Sequence, residues 1–166
     1  MTATRIDRGS TDTTTIYSED GDLSYERTFD APRELVWKAH TDPELIPRWW
    51  GPHRHTTRVE ELDLRPGGAW RYVSVDSEGN EFAFYGEYLE IVPPERIRWT
   101  FIFDVEGVGP QGGPETLTLE DLDGRTRMRA VSHMGSEAVI DAALATGMIQ
   151  GAIETWDRLD ALLAER

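Results

Sequence analysis

Residues 136–166 hold the only long helical pattern in the chain, and it comes last. Apolar side chains recur three or four positions apart, which predicts an amphipathic helix that packs on another element. They are Met148, Ile149, Ala152, Ile153, Trp156, Leu159, Leu162 and Leu163, and the opposite side carries Glu154, Asp157, Arg158, Asp160 and Glu165. Gly147 and Gly151 stand in this pattern although glycine costs a helix up to about 1 kcal/mol relative to alanine. We therefore expect the two glycines to leave room for a cavity under the helix.

The chain before this helix predicts strands joined by short turns. Strand patterns cover residues 23–29, 57–64, 69–75, 81–92, 96–104, 115–122 and 125–133. The dipeptide Asp123-Gly124 favours a type I′ hairpin, and Asp30-Ala31-Pro32 and Thr41-Asp42-Pro43 are helix-start signals. Consecutive strands joined by turns form an antiparallel meander, which twists and curls around a helix. The predicted fold class is α+β: a seven-stranded curved antiparallel sheet, two short helices after the first strand, and a long C-terminal helix over the concave face.

The first residues lack this periodicity. Residues 1–21 are rich in Thr, Ser and Asp, so we expect a flexible N-terminal tail before one domain that spans residues 22–166. The tail has no apolar region typical of a secretory signal, and no apolar run approaches the roughly 20 residues of a membrane span. These features predict a cytoplasmic protein.

Composition restricts the partners. The formal net charge of −14 repels phosphate groups, which argues against nucleic acid and against anionic membrane surfaces. The chain has no cysteine, so disulfides, thiolate metal sites and cysteine nucleophiles are excluded. His53 and His55 alternate as metal ligands in a strand would, but no third ligand accompanies them. We expect no metal and no cofactor.

Several motifs, in order, resemble one known family. They are Phe29-Asp30-Ala31-Pro32-Arg33-Glu34-Leu35-Val36-Trp37, Thr41-Asp42-Pro43-Glu44, Trp49-Trp50-Gly51-Pro52, Asp63-Leu64-Arg65-Pro66-Gly67-Gly68, Pro93-Pro94-Glu95-Arg96, and Gly147-Met148 with Gly151. With them, residues 23–165 resemble the bacterial activator-of-heat-shock-protein-ATPase-like family of the START-like superfamily, also called SRPBCC. The resemblance implies a helix-grip fold. Many relatives place a bulky aromatic residue directly after the second helix glycine, whereas this chain has Ala152 there and Trp156 one turn later.

The inward-facing positions of the strands and the helix predict a ligand cavity. Its expected lining is Trp50, Trp70, Tyr72, Phe84, Trp99, Phe101, Met128, His133, Met148, Gly151 and Trp156. Aromatic residues on an inward face can equally fill an ordinary core, and the helix glycines together with the resemblance favour the cavity. One of Trp49 and Trp50 is expected at the cavity mouth or as a plug of the sheet. The glycine-rich residues 106–114 are expected to form a loop, as a lid or as a simple connection.

The leading hypothesis is a non-enzymatic protein that binds a small apolar or aromatic ligand between sheet and helix. No catalytic residues are predicted, since no nucleophile motif occurs and no acid–base pair stands out. Two alternatives stay open. One is a polyketide cyclase- or aromatase-like enzyme, which requires a polar group of shifted pKa inside the cavity. The other is a stress-related regulator of a chaperone ATPase, which would use its outer surface. A chaperone and a second copy of the chain, as a homodimer, stay open as partners.

Overall fold

The computed structural model describes residues 5–105 and 109–165. Its strands are β1 (Ile6–Asp7), β2 (Thr15–Glu19), β3 (Asp22–Phe29), β4 (Thr56–Leu62), β5 (Ala69–Val75), β6 (Glu81–Val92), β7 (Arg96–Val105), β8 (Gly109–Asp121) and β9 (Thr126–His133). A helix α1 (Arg33–Thr41) and a 3-10 helix (Ile46–Arg48) follow β3, and α2 (Glu137–Leu144) and α3 (Met148–Leu163) follow β9. The described strands form one sheet in the order β1-β2-β3-β9-β8-β7-β6-β5-β4, and all neighbours are antiparallel.

Helix α3 lies on the concave face of this sheet. Its Trp156 packs edge-on against Tyr25 of β3, with ring centroids 5.1 Å apart. Leu159 and Leu163 of the same helix are buried in the core that the sheet provides. This is the predicted helix-grip fold, and its class and its order of two short helices before the meander are confirmed. The sheet of the described chain has nine strands, where the sequence predicted seven.

The two additional strands correct the prediction of a flexible tail over residues 5–21. Strand β2 pairs with β3, with Ile16 opposite Tyr25, and Ile16, Tyr17 and Ser18 are buried. Arg8 links this part of the chain to α2, because its guanidinium donates to Ser18 Oγ at 2.8 Å and to Asp141 Oδ1 of α2 at 2.7 Å. Strands of two and five residues are too short for a pattern of alternation. Residues 1–4 of the predicted tail lie outside the described residues.

Ile16→Ala tests whether β2 belongs to the folded domain. Ile16 is fully buried, so we expect the substitution to lower the free energy of unfolding by about 2–4 kcal/mol, measured by urea denaturation. The matched control is Ile6→Ala in β1, where the side chain is 40% exposed and the expected change is within about 0.5 kcal/mol. Equal, small effects of both substitutions would contradict the pairing of β2 with β3.

The glycine-rich segment is also different from its prediction. Gly109 to Pro114 belong to β8 and pair with β7 in register, with Gly113 opposite Phe101, so they are not a loop. A Cβ atom on Gly112 would lie 2.1 Å from the carbonyl oxygen of Phe101, so glycine allows this close strand approach. The other residues of the expected lid, 106–108, lie outside the described residues.

The C-terminal region consists of two helices rather than one. Gly147 separates α2 from α3 and has a φ of +83°, a left-handed conformation that interrupts helical hydrogen bonding and favours glycine. Ser136 caps α2, because its side chain accepts a hydrogen bond from the Val139 N–H at 3.2 Å. Within the described chain, no helix has the length and apolarity needed to cross a membrane.

Candidate functional site

A cavity of about 360 Å³ lies between the concave face of the sheet and α3. This volume falls within the range of small-molecule pockets, roughly 300–1,000 Å³. Most of its surface is apolar, and its aromatic wall consists of Tyr25, Trp49, Trp50, Phe82, Phe84, Trp99, Phe101, Phe103 and Trp156. The ionisable side chains along the wall, apart from Tyr25, are those of His40, His55, Glu115 and His133.

Alternation along β6 and β7 builds the largest part of the wall. Phe84 is in register with Phe103, and their rings are stacked with centroids 4.9 Å apart. Trp50 reaches this surface from the end of the 3-10 helix and stacks on Phe101 at 5.8 Å. Trp49 also borders the cavity, and its indole N–H donates to the Ala39 carbonyl of α1 at 2.9 Å. Trp50 is therefore the main wall residue of this pair, and Trp49 anchors the segment to α1.

The structure brings most of the predicted lining together. Along the cavity lie Trp50, Phe84, Trp99, Phe101, His133, Met148, Gly151 and Trp156. Trp70, Tyr72 and Met128 share the same face of the sheet but are at most 1% exposed and belong to the core beside the cavity. Trp70, for example, packs against Trp99 with ring centroids 4.9 Å apart. Alternation in the sequence identifies the side chains that face the helix. Which of these side chains border the cavity depends on how the sheet and the helix pack together.

The helix glycines have different roles. Gly147 is needed for the left-handed junction, and a Cβ atom there would meet no atom within 4 Å. A Cβ atom on Gly151 would lie 3.6 Å from Pro52 Cγ, which is ordinary van der Waals contact. The expectation that both glycines make room inside one helix is therefore corrected: only Gly151 lies within α3, and its place on the lining makes it the position where a larger side chain would enter the cavity.

Arg158 fixes the Trp50 segment over the cavity. Its Nη1 lies 2.9 Å from the Gly51 carbonyl oxygen, 3.2 Å from that of Trp50 and 3.3 Å from that of Pro52. A fourth carbonyl, of His55, is 3.4 Å from the same nitrogen, and partial burial lowers the pKa of the guanidinium. The helical pattern placed Arg158 on the polar side of α3, yet its long side chain reaches around the helix to these carbonyls.

Glu115 is the site residue that sequence reasoning missed. It occupies β8 directly between Trp99 of β7 and Ser132 of β9. Burial raises the pKa of its carboxyl group from the ordinary 4.5 to about 7, while the interaction of the carboxylate with the Trp99 indole N–H lowers it. The Trp99 N–H is buried without a hydrogen-bond partner of acceptable geometry. A signal existed: Leu117 and Leu119 of the same strand are buried, and Glu115 follows the same alternation.

The histidines of the cavity differ in burial and in the hydrogen-bond partners of their ring nitrogens. His40 is buried, its Nδ1–H donates to the Val36 carbonyl at 2.8 Å, and burial lowers its pKa to about 4, so it is neutral at pH 7. His55 has a buried Nδ1 without a partner, and burial lowers its pKa. His133 is exposed, and its ring nitrogens contact Asp22 Oδ1 at 3.0 Å and Thr116 Oγ1 at 3.3 Å.

Comparisons with known proteins agree with this architecture. A family model described as Activator of Hsp90 ATPase homolog 1-like protein matches residues 30–164. The solved structure of CV1439 from Chromobacterium violaceum is 32% identical, with a TM-score of 0.71, covering 86% of this chain and 96% of that one. Ms6760 from Mycobacterium smegmatis is 29% identical, with a TM-score of 0.78, covering 88% and 92%. A protein from Arthrobacter aurescens is 27% identical, with a TM-score of 0.82, covering 92% of both chains. No curated protein matches.

Proposed function

The chain belongs to the Activator of Hsp90 ATPase homolog 1-like family, and from this premise we propose that it binds a small, largely apolar or aromatic molecule between the sheet and α3. The observation that carries the proposal is the wall of aromatic rings around a volume of about 360 Å³. Transfer of an apolar ligand from water to such a wall is favourable by roughly 25 cal/mol per Å² of buried surface. Flat aromatic rings on the wall suit a flat aromatic ligand, since offset and edge-on ring pairs add to this burial.

The test is to fill the cavity from α3. N-phenyl-1-naphthylamine, a neutral fluorescent aromatic compound, is titrated into the wild-type protein and into Gly151→Trp. We expect saturable fluorescence enhancement with the wild type and at least about tenfold weaker binding by Gly151→Trp, because the indole occupies the space of the probe. Equal binding by a folded Gly151→Trp protein would overturn the proposal.

Two further variants keep this test decisive. Gly151→Ala is the matched control, since its methyl group makes only ordinary contact with Pro52 and should leave binding unchanged. Ala152→Phe fills the cavity from the adjacent position and should weaken binding in the same direction as Gly151→Trp. Circular dichroism and thermal unfolding establish that each variant is folded before its affinity is compared.

Of the alternatives, an enzymatic role is favoured by a specific observation. The cavity is not lined by apolar groups alone, because the Glu115 carboxyl group lies on its wall with a raised pKa. Regulation of a chaperone ATPase would instead use the outer surface of the domain. Chaperone binding that persists in Gly151→Trp would support that alternative, and chaperone binding that is lost with cavity filling would contradict it.

A further inference from the structure

Polar groups converge on one part of the otherwise apolar cavity. Trp99, Glu115 and Ser132 are successive partners across β7, β8 and β9, so their side chains emerge on the same face of the sheet. Tyr25 lines the same region from β3, and the Glu115 charge is close enough to contribute to the raised pKa of the Tyr25 hydroxyl group. Glu115 is the only carboxylate among the described lining residues.

The Trp99 indole N–H lies near enough to the Glu115 carboxylate to lower its pKa, but the two groups do not meet with the geometry of a full hydrogen bond. The Trp99 indole N–H is buried, the side chain being 3% exposed overall, and it has no acceptor among the described residues. Apart from this approach of Trp99, no side-chain or backbone donor is found on the Glu115 carboxylate among the described residues. Buried donors in folded proteins nearly always have a partner. A free donor and a free carboxylate side by side on a cavity wall therefore point to a ligand group that meets both.

We propose that Glu115 is a general base that removes a proton from the carbon atom beside the carbonyl group of a bound aromatic ketone, while Trp99 Nε1–H donates to the carbonyl oxygen. The inference rests on the proposed binding function. The C–H electron pair becomes the C=C bond of the enolate, the carbonyl π electrons move to oxygen, and the proton passes to a Glu115 carboxylate oxygen. Return of this proton to carbon completes an exchange or an isomerisation without any oxidant or reductant.

The surroundings suit this chemistry. A base whose pKa is close to the working pH both accepts and returns a proton efficiently, and burial gives Glu115 a pKa of about 7. Charge developing on the ketone oxygen would face a fixed indole N–H in an apolar setting, where such a donor is most effective. The Tyr25 hydroxyl stays protonated because burial raises its pKa, so it is a second donor. Of the cavity histidines, His40 and His133 have ring nitrogens engaged by neighbours, and His55 is the competing base.

The experiment uses 2-tetralone, a bicyclic aromatic ketone, incubated with the protein in D₂O. Proton NMR measures the loss of the hydrogens beside the carbonyl, and quenching of tryptophan fluorescence measures binding. We expect Glu115→Gln to reduce the protein-dependent exchange rate by at least about 100-fold and to change affinity by only a few fold. Trp99→Phe should reduce the rate by roughly 100-fold. Glu120→Gln, on an exposed part of the same strand, should leave the rate unchanged.

Other outcomes separate this inference from the binding function. If 2-tetralone binds but the wild type does not accelerate exchange, or if Glu115→Gln exchanges as fast as the wild type, the inference is overturned and the binding function stands. Loss of exchange in His55→Gln but not in Glu115→Gln would assign the base to His55 and likewise overturn it. Failure of both 2-tetralone and N-phenyl-1-naphthylamine to bind would overturn the binding function itself. Glu115→Asp, which keeps the carboxylate but withdraws it from the cavity, should give an intermediate rate.

Discussion

Replacing Glu115 by glutamine is expected to stabilise the folded protein by about 3 kcal/mol at pH 8 and to have little effect at pH 4. Burial raises the pKa of this carboxyl group from 4.5 to about 7, and each pH unit between the two values corresponds to about 1.36 kcal/mol. Below pH 4.5 the group is protonated in both the folded and the unfolded chain. Between pH 4.5 and 7 the folded chain holds the proton that the unfolded chain releases, so stability falls as the pH rises. Glutamine cannot ionise, so the variant does not lose stability as the pH rises through this interval.

His40 produces the opposite pH dependence. Burial lowers its pKa from 6.5 to about 4, so the unfolded chain binds a proton between these values before the folded chain does. Stability from this group is complete above pH 6.5 and is lost as the pH falls towards 4. In the wild type, the loss of stability caused by Glu115 and the gain caused by His40 partly cancel as the pH rises from 4.5 to 6.5. Glu115→Gln should therefore show a steeper increase in stability over this interval than the wild type does.

The measurement is urea denaturation of both proteins at unit steps from pH 4 to pH 8. Glu120→Gln is the control for removal of one negative charge from an acidic chain, and its effect should be within about 0.5 kcal/mol at every pH. A difference between Glu115→Gln and the wild type that is the same at pH 4 and pH 8 would contradict a carboxyl group buried in the cavity wall.

The meander and the packing of α3 could be predicted because their signals are local. At the β8–β9 hairpin, Asp123 and Gly124 have φ values of 62° and 99°, the left-handed conformations that a type I′ turn requires. Strands β1 and β2 lacked such a signal, and the burial of β2 depends on its long-range pairing with β3. Gly147 was interpreted as a helix position, since sequence alone does not reveal the sign of φ at a glycine.

The sequence predicted which face of the sheet lines the candidate site, but not which of the inward-facing residues border the cavity. Trp99 and Phe101 reach the cavity because they are inward on β7, but Trp70 is inward on β5 and is covered by its neighbours. Glu115 was overlooked because an acidic residue after a glycine-rich stretch is usually solvent-exposed. Its partial burial follows from its partners, Trp99 and Ser132, on either side. Such cross-strand partners are not visible in one sequence until the register of the sheet is known.

Replacing Arg158 by methionine is expected to lower the free energy of unfolding by about 2–4 kcal/mol and to weaken binding of N-phenyl-1-naphthylamine. The side chain keeps most of its apolar length, but the carbonyls of Trp50, Gly51 and Pro52 lose their shared charged donor. Hydrogen bonds from charged groups are worth about 1.5–3 kcal/mol each. The Trp50 carbonyl keeps the Thr57 hydroxyl and the Pro52 carbonyl keeps the His55 N–H, whereas the Gly51 carbonyl has no other donor among the described residues and adds a desolvation penalty. Because these carbonyls hold the segment that carries Trp50, the cavity wall loosens together with the fold.

Arg158→Lys separates the charge from the geometry of this contact. A lysine ammonium group can enter the cluster of carbonyls but lacks the planar fork of arginine, so we expect about half of the lost stability and affinity to return. Arg125→Met, at an exposed arginine, is the matched control and should change stability by no more than about 0.5 kcal/mol. If Arg158→Met lowers stability without changing probe affinity, then Trp50 is held in place by its contacts with neighbouring rings and by the Thr57 hydroxyl that donates to its carbonyl. The role of Arg158 in shaping the cavity would then be excluded, while its role in stability would remain.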